Sequence, residues 1–306
     1  MEVLLDVLQA DDDNADLSDG TPNGAAILEG FGMHGITLFS NVEILHEAEE
    51  YTAATEPIAI NANAQVLFPF SQYFGSCEMY YRTSPFEDWV PLTMEAGEAD
   101  EFAAAIPAQE EGTVVEYYFG ITDIYGAVSA VTPYSSDYAD NANLPFNTIV
   151  GLTPVLIDDQ DDYSDFGFWQ IGLPEDNATT GQWESTIPVG SYSEPGDPST
   201  ICAPSEDHTP EDGIFAFITG VSPGADAGIG SNDVDAGSTT LQSEPIDLSE
   251  MESPVLSYWR WYVNAPASGA NPGADWWQVY VSGDGGNSWV EVEETLTQDI
   301  SWRRNA

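Results

Sequence analysis

Aspartate-rich loops are the part of this sequence whose residue types best fit a defined chemistry, the binding of a hard cation. One acidic loop spans 11–20 and contains Asp11, Asp13 and Asp16. The aspartates of interest in the C-terminal half are Asp158, Asp159, Asp207, Asp233 and Asp235. Calcium takes about six to eight oxygen ligands, largely carboxylates and carbonyls, so both sets predict a structural calcium site. The alternative is that these aspartates cap turns.

Two aromatic segments near the C-terminus predict a ligand-binding face. Alternate residues of a strand face the same side, so each segment presents one aromatic and polar face. Rings beside polar groups suit sugar binding, since each offers an apolar body and a polar partner. The alternative is that cross-strand aromatic pairs stabilise the sheet without any ligand. The candidate binding residues are Tyr258, Arg260, Tyr262, Trp276, Gln278 and Tyr280.

Catalytic chemistry is poorly supported by the remaining residues. A zinc peptidase helix needs two histidines four residues apart with a glutamate between them. The stretch from His46 to Glu50 begins that motif, but its fifth residue is glutamate. The three histidines, His34, His46 and His208, are scattered along the sequence and indicate no Ser-His-Asp triad. We therefore predict no catalytic residues in this chain.

The charge balance excludes one class of partner. Among 306 residues, 53 are Asp or Glu and 4 are Lys or Arg, a formal net charge of −49. Phosphate binding needs clustered cations, so nucleic acid is not an expected partner. Apolar runs fall short of the ~20 residues of a membrane-spanning helix, so membrane insertion is not expected. So acidic a surface is typical of a halophilic or marine source, where salt screens self-repulsion.

Hydrophobic periodicity predicts a mainly β chain in three parts. Residues 1–41 have helical spacing. Residues 42–149 change to a period of two, with turn residues between the apolar runs, as in a β-sandwich. Residues 150–306 form a second all-β region with long loops rich in Gly, Pro, Ser and Asp. We expect two β-sandwiches preceded by a short helical segment.

The segment DDDNADLSDGTPNGAAILEGFGMHGI, 11–36, resembles the last helix of secreted zinc metallopeptidases of the fungalysin and gluzincin type. The resemblance implies that 1–41 is the helical tail of an upstream catalytic domain. Zinc would then bind only in that upstream domain. It also implies a secreted, extracellular protein whose signal peptide lies outside this sequence.

The two β regions carry resemblances of their own. Residues 42–149 resemble an Ig- or fibronectin-III-like module, through Tyr80-Tyr81-Arg82 and Tyr117-Tyr118-Phe119. Residues 150–306 are similar to MAM-like and galactose-binding-like jelly rolls, through Asp207-His208-Thr209 and Thr239-Thr240-Leu241-Gln242-Ser243. The second resemblance implies a structural calcium and a jelly roll truncated at its C-terminus. The turn from Ser282 to Trp289 matches the Asp-box pattern.

These observations predict a non-catalytic accessory region of a secreted bacterial protein, and we expect that protein to be a metallopeptidase. Its role would be that of a spacer and a substrate- or surface-binding module. The partner would be a protein, a polysaccharide or a cell-surface ligand. One alternative is a stand-alone carbohydrate-binding or adhesion module. Another is a chain classed as a zinc metallopeptidase only through its parent protein.

Overall fold

The computed structural model describes residues 2–98, 100–133, 144–155, 168–192, 197, 200–208, 214–224, 227, 232–264 and 273–306. Within these residues the protein is mainly β, with two short α-helices near the N-terminus. The prediction of a mainly β chain that follows a short helical segment is therefore confirmed. The chain divides into two compact units, Met1–Thr153 and Pro154–Asn305.

The first unit begins with two helices, α1 (Glu2–Asp11) and α2 (Gly24–Gly32). Leu4 and Leu8 of α1 are fully buried, because residues four apart lie on the same helical face. Both leucines belong to the same hydrophobic core as the strands that follow. The helical segment thus packs as part of the first unit. Its origin in an upstream catalytic domain stays a prediction.

Ten strands of the first unit form two sheets. Their bounds are β1 (Ile44–Leu45), β2 (Tyr51–Thr52), β3 (Ile58–Ala64), β4 (Phe74–Arg82), β5 (Val90–Thr93), β6 (Glu95–Ala96), β7 (Glu101–Ile106), β8 (Val114–Asp123), β9 (Val128–Thr132) and β10 (Phe146–Val150). The first sheet has the order β1-β3-β7-β6. The second has the order β2-β10-β8-β4-β5, and β9 also pairs with β8. The β2–β10 pair is parallel, whereas its neighbour β10–β8 is antiparallel.

One hydrophobic core receives side chains from both sheets. Ile58 and Ile60 of β3 alternate with exposed residues and face this core. Tyr117 and Phe119 of β8 enter it from the second sheet and are fully buried. A 3-10 helix, Phe70–Tyr73, leads into β4 and buries Tyr73 in the same core.

The described part of the second unit contains paired strands joined by longer connections. Their bounds are β11 (Trp169–Ile171), β12 (Trp183–Thr186), β13 (Ser191–Tyr192), β14 (Ile201–Ala203), β15 (Ala216–Thr219), β16 (Leu241–Ser243), β17 (Tyr258–Tyr262), β18 (Trp277–Val281), β19 (Val290–Thr295) and β20 (Asp299–Asn305). The antiparallel pairs are β11–β16, β12–β15, β13–β14, β17–β20 and β18–β19. The C-terminal residues thus form a strand paired with β17. The truncation of a jelly roll stays a prediction.

Candidate functional site

The predicted aromatic binding face divides into an interior half and an exposed half. Strand β17 turns Tyr258, Arg260 and Tyr262 inward, and Arg260 is only 2% exposed. These three side chains therefore pack inside the second unit and do not form an open ligand surface. The physical reason is that the strand hairpin β18–β19 supplies their polar partners.

Glu293 of β19 is the centre of this interior network. Its carboxylate accepts hydrogen bonds from Arg260 Nε at 2.7 Å, Tyr258 Oη at 2.6 Å and Trp277 Nε1 at 2.9 Å. Burial raises the pKa of Tyr258, and the adjacent charge of Glu293 raises it further. The network joins β17 to the β18–β19 pair with one buried ion pair. The sequence did not identify Glu293, because no local pattern distinguishes it from the many other acidic residues.

Strand β18 and Trp276, the residue before it, present the other half of the predicted face to solvent. Trp276 and Tyr280 are 56% and 42% exposed, and Gln278 between them is also exposed. Gln278 Nε2 donates to Glu294 at 2.5 Å, and Tyr280 Oη donates to Glu291 at 3.4 Å. Partial burial raises the pKa of Tyr280, and Glu291 and Glu294 add to the effect. This surface, two aromatic rings flanking an amide beside two carboxylates, is called here the β18 face.

The turn that joins β18 to β19 is closed by its own side chains. Asp284 accepts from the Ser288 backbone N–H at 2.8 Å and from its hydroxyl at 2.7 Å. The Ser282 hydroxyl accepts from the Gly286 N–H at 2.8 Å. The bonds to Ser288 are the main cause that lowers the pKa of Asp284 to about 2. The motif therefore holds the hairpin that carries the β18 face.

We expect this turn to weaken in acid. The pKa of Asp284 in the folded chain is about 2, below the usual 3.8. Its carboxylate therefore contributes fully to the stability of the fold at pH values above 3.8. This contribution is lost as the pH falls through about 2. Hydrogen exchange of residues 282–289 between about pH 5 and pH 2 measures the change. An Asp284→Asn variant with the same acid profile as the wild type would contradict the assignment.

Two of the aspartates predicted to bind calcium lie near a third carboxylate. Burial raises the pKa of Asp275, and the charges of Asp233 and Asp235 raise it further. The Thr180 hydroxyl donates to the Asp233 carbonyl at 2.9 Å. Asp207 has one buried carboxylate oxygen with no hydrogen-bond partner. Asp275 was not predicted, because it lies far along the chain from the other acids.

The two remaining aspartates of that set, Asp158 and Asp159, lie outside the described residues. Within the described ranges, no three Asp, Glu, His or Cys side chains group closely enough to hold a metal ion. The calcium assignment in this unit therefore stays a prediction. Its ligands would have to include carbonyls or water besides the carboxylates.

The acidic loop 11–20 uses the predicted carboxylates in hydrogen bonds. Asp11 accepts from the backbone and side-chain N–H groups of Asn23, each at 2.6 Å, and the pKa of Asp11 is lowered as a result. Asp16 accepts from Ser18 through its hydroxyl at 2.6 Å and its N–H at 3.1 Å. Asp13 is exposed. Asp11 and Asp16 thus hold the connection between α1 and α2.

The histidine that begins the partial zinc motif has a packing role. His46 Nδ1 lies 2.6 Å from the Asn61 carbonyl, and its Nε2 lies 2.9 Å from Tyr117 Oη. The ring also contacts Phe119 and Phe146 edge-on. His46 follows β1, so residues four apart do not share a helical face there.

All four arginines, the only Lys or Arg residues of the chain, are largely buried. Arg82 pairs with Glu116 at 2.5 Å and lies over the Trp89 ring at 4.2 Å from its centroid. The other three are Arg260, Arg303 and Arg304, which are 2%, 9% and 6% exposed. The cations therefore lie inside the fold, and carboxylates dominate the exterior.

Comparison of the sequence with models of known protein families and with curated proteins finds no match. The family resemblances of residues 11–36, 42–149 and 150–306 rest on their sequence motifs, and they stay predictions. Among the described residues, no helix is both long enough and apolar enough to cross a membrane.

Proposed function

We propose that this chain is a non-catalytic accessory region of a secreted bacterial metallopeptidase, acting as a spacer and as a binding module for a polymer or surface. The polar groups with the greatest potential for catalysis are engaged in packing. His46 is held between two hydrogen-bond partners, Asn61 and Tyr117. Burial raises the pKa of Cys77 to about 12, which keeps its thiol protonated and unreactive.

The proposal assigns a finer fold to each unit. The two sheets of the first unit share one core, and their strand order supports an Ig-like sandwich. The second unit is proposed to be a MAM-like or galactose-binding-like jelly roll. Calcium there would be held by aspartates of the predicted set, such as Asp233 and Asp235, together with carbonyl and water oxygens.

The observation that carries the binding role is the β18 face. Gln278 and Tyr280 of β18 are exposed, as is Trp276 directly before the strand, and the closed turn at Asp284 follows the strand. Aromatic side chains bring large contact area with few rotatable bonds, which suits them to binding surfaces. The amide of Gln278 and the carboxylate of Glu294 supply hydrogen-bond partners for hydroxyl groups. We infer that the ligand is a neutral polysaccharide.

The test is the retention of the full chain by insoluble neutral polysaccharides. We expect the wild-type chain to be retained, and Trp276→Ala and Tyr280→Ala to weaken the affinity by about tenfold or more each. The matched control is Phe86→Ala, which removes a ring that is 96% exposed in the first unit. Equal weakening in the control variant, or no retention of the wild type, would overturn the proposal.

A further inference from the structure

The connection between β11 and β12 contains an acceptor sequence for an N-linked sugar. Asn177, Ala178 and Thr179 form the pattern Asn-x-Ser/Thr, with a residue other than proline in the middle. No other asparagine of the sequence begins this pattern. Because so short a pattern also occurs by chance, the surroundings of Asn177 determine whether it can carry a sugar.

Asn177 lies on the surface of the second unit. Both Asn177 and Thr179 are exposed, in the connection that follows Ile171 of β11 and leads to Trp183 of β12. A glycan is bulky and hydrophilic, so its attachment site has to lie in a surface loop. The position of Asn177 in the fold meets this requirement.

The amide of Asn177 is held through its oxygen alone. Its Oδ1 accepts a hydrogen bond from the Ser238 backbone N–H at 3.0 Å. A backbone N–H can only donate, so the atom that faces it has to be the amide oxygen. The Nδ2 atom, to which a sugar is attached, makes no hydrogen bond within the described part of the chain. The fold therefore uses the carbonyl end of this side chain and leaves the nitrogen end available.

Neighbouring contacts fix the turn in a form that is compatible with a glycan. Asp176 accepts hydrogen bonds from the N–H and the hydroxyl of Thr240, each at 2.7 Å. A Cβ at Gly237 would lie 2.2 Å from Asn177 Oδ1, so only glycine allows the backbone to approach the amide so closely. An N-linked sugar replaces one hydrogen of Nδ2 and leaves the carbonyl oxygen as an acceptor. The bond from Ser238 can therefore persist after modification.

We propose that Asn177 carries an N-linked glycan, transferred by a separate enzyme from a lipid-linked oligosaccharide diphosphate. Nδ2 attacks C1 of the donor sugar, and the N–C1 bond forms. The C1–O bond breaks with its electron pair leaving on the diphosphate, and the proton lost from Nδ2 passes to solvent. The inference rests on the extracellular location in the proposed function, because this modification belongs to secreted proteins. It does not depend on the β18 face.

The test is the mass of the peptide 176–184, which cleavage after Glu175 and Glu184 releases. The protein is taken from the culture medium of its source organism. We expect the peptide to carry the added mass of a glycan on Asn177. An unmodified peptide from the medium would overturn the glycan and leave the secreted location intact. Protein that stays inside the cells would contradict the location and the glycan together.

Three threonine variants produced in the same organism separate recognition from folding. Thr179→Ala removes the hydroxyl of the acceptor sequence and should lose the added mass, whereas Thr179→Ser should keep it. The matched control is Thr180→Ala, which lies outside the acceptor sequence and should also keep the added mass. The Thr179 and Thr180 hydroxyls each donate to a backbone carbonyl, that of Asp235 at 3.2 Å and that of Asp233 at 2.9 Å, so the two alanine variants lose similar contacts.

A glycan that persists in Thr179→Ala, or that is lost equally in Thr180→Ala, would overturn the assignment of this acceptor sequence. Retention by neutral polysaccharides is measured separately and reports on the β18 face alone.

Discussion

Glu293→Ala should remove about 3–5 kcal/mol from the unfolding free energy of the second unit. Arg260 is 2% exposed and 2.7 Å from Glu293, so the variant leaves a buried guanidinium without its counter-charge. Tyr258 and Trp277 lose their acceptor at the same time. Urea unfolding followed by tryptophan fluorescence measures the loss, since eight of the nine tryptophans lie in this unit.

The double variant Arg260→Met/Glu293→Leu is the matched control. Replacing both members of a buried ion pair by apolar residues is often neutral or stabilising, because neither desolvated charge remains. We expect the double variant to unfold at a higher urea concentration than Glu293→Ala. If the single variant costs less than about 1 kcal/mol, as exposed pairs do, the network does not stabilise the unit.

Asp123→Ala should destabilise the first unit by about 3 kcal/mol, since a hydrogen bond to a charged group contributes about 1.5–3 kcal/mol. The carboxylate is 2% exposed and ends β8. It accepts from the N–H groups of Tyr125 at 2.9 Å and Ala127 at 3.1 Å, and from the Ser129 hydroxyl at 2.7 Å. Hydrogen exchange of β9 and circular dichroism during urea unfolding measure the effect.

Asp123→Asn separates the hydrogen bonds from the volume of the side chain. The amide oxygen can still accept from Tyr125 and Ala127, and the amide nitrogen can donate to Ser129. We therefore expect a clearly smaller loss than with alanine. Equal losses in the two variants would show that these hydrogen bonds do not stabilise the turn.

Local periodicity predicted that the first unit consists of strands. It did not predict which strands lie at the centre of a sheet or which strands have both faces buried. The period of two in residues 42–149 predicted the strands of a β-sandwich. In the structure β8 lies between β4 on one side and β9 and β10 on the other, and Tyr118 on the opposite face is only 5% exposed. Pairing partners come from distant parts of the chain, so a single strand's pattern does not show whether it is central.

The candidate site also depends on contacts between distant parts of the chain, which a local sequence pattern does not show. Alternation showed correctly that Tyr258, Arg260 and Tyr262 share a face, and that Trp276 and Tyr280 share another. It did not show which face is buried, because that depends on where Glu293 lies after folding. The interior ion pair was missed for this reason, and half of the predicted binding face lies inside the unit.

The parallel pairing of β2 with β10 has a mechanical consequence. Hydrogen bonds cross this pair from the Ile149 N–H to the Glu50 carbonyl and from the Gly151 N–H to the Thr52 carbonyl, at 2.9 and 2.8 Å. Tension that reaches β2 from its N-terminal side and β10 from its C-terminal side pulls parallel neighbours in opposite directions. The bonds are then loaded together in shear and must break at once, whereas an antiparallel hairpin pulled from its open end unzips one bond at a time. In the proposed role of a spacer, this short contact would add resistance to stretching.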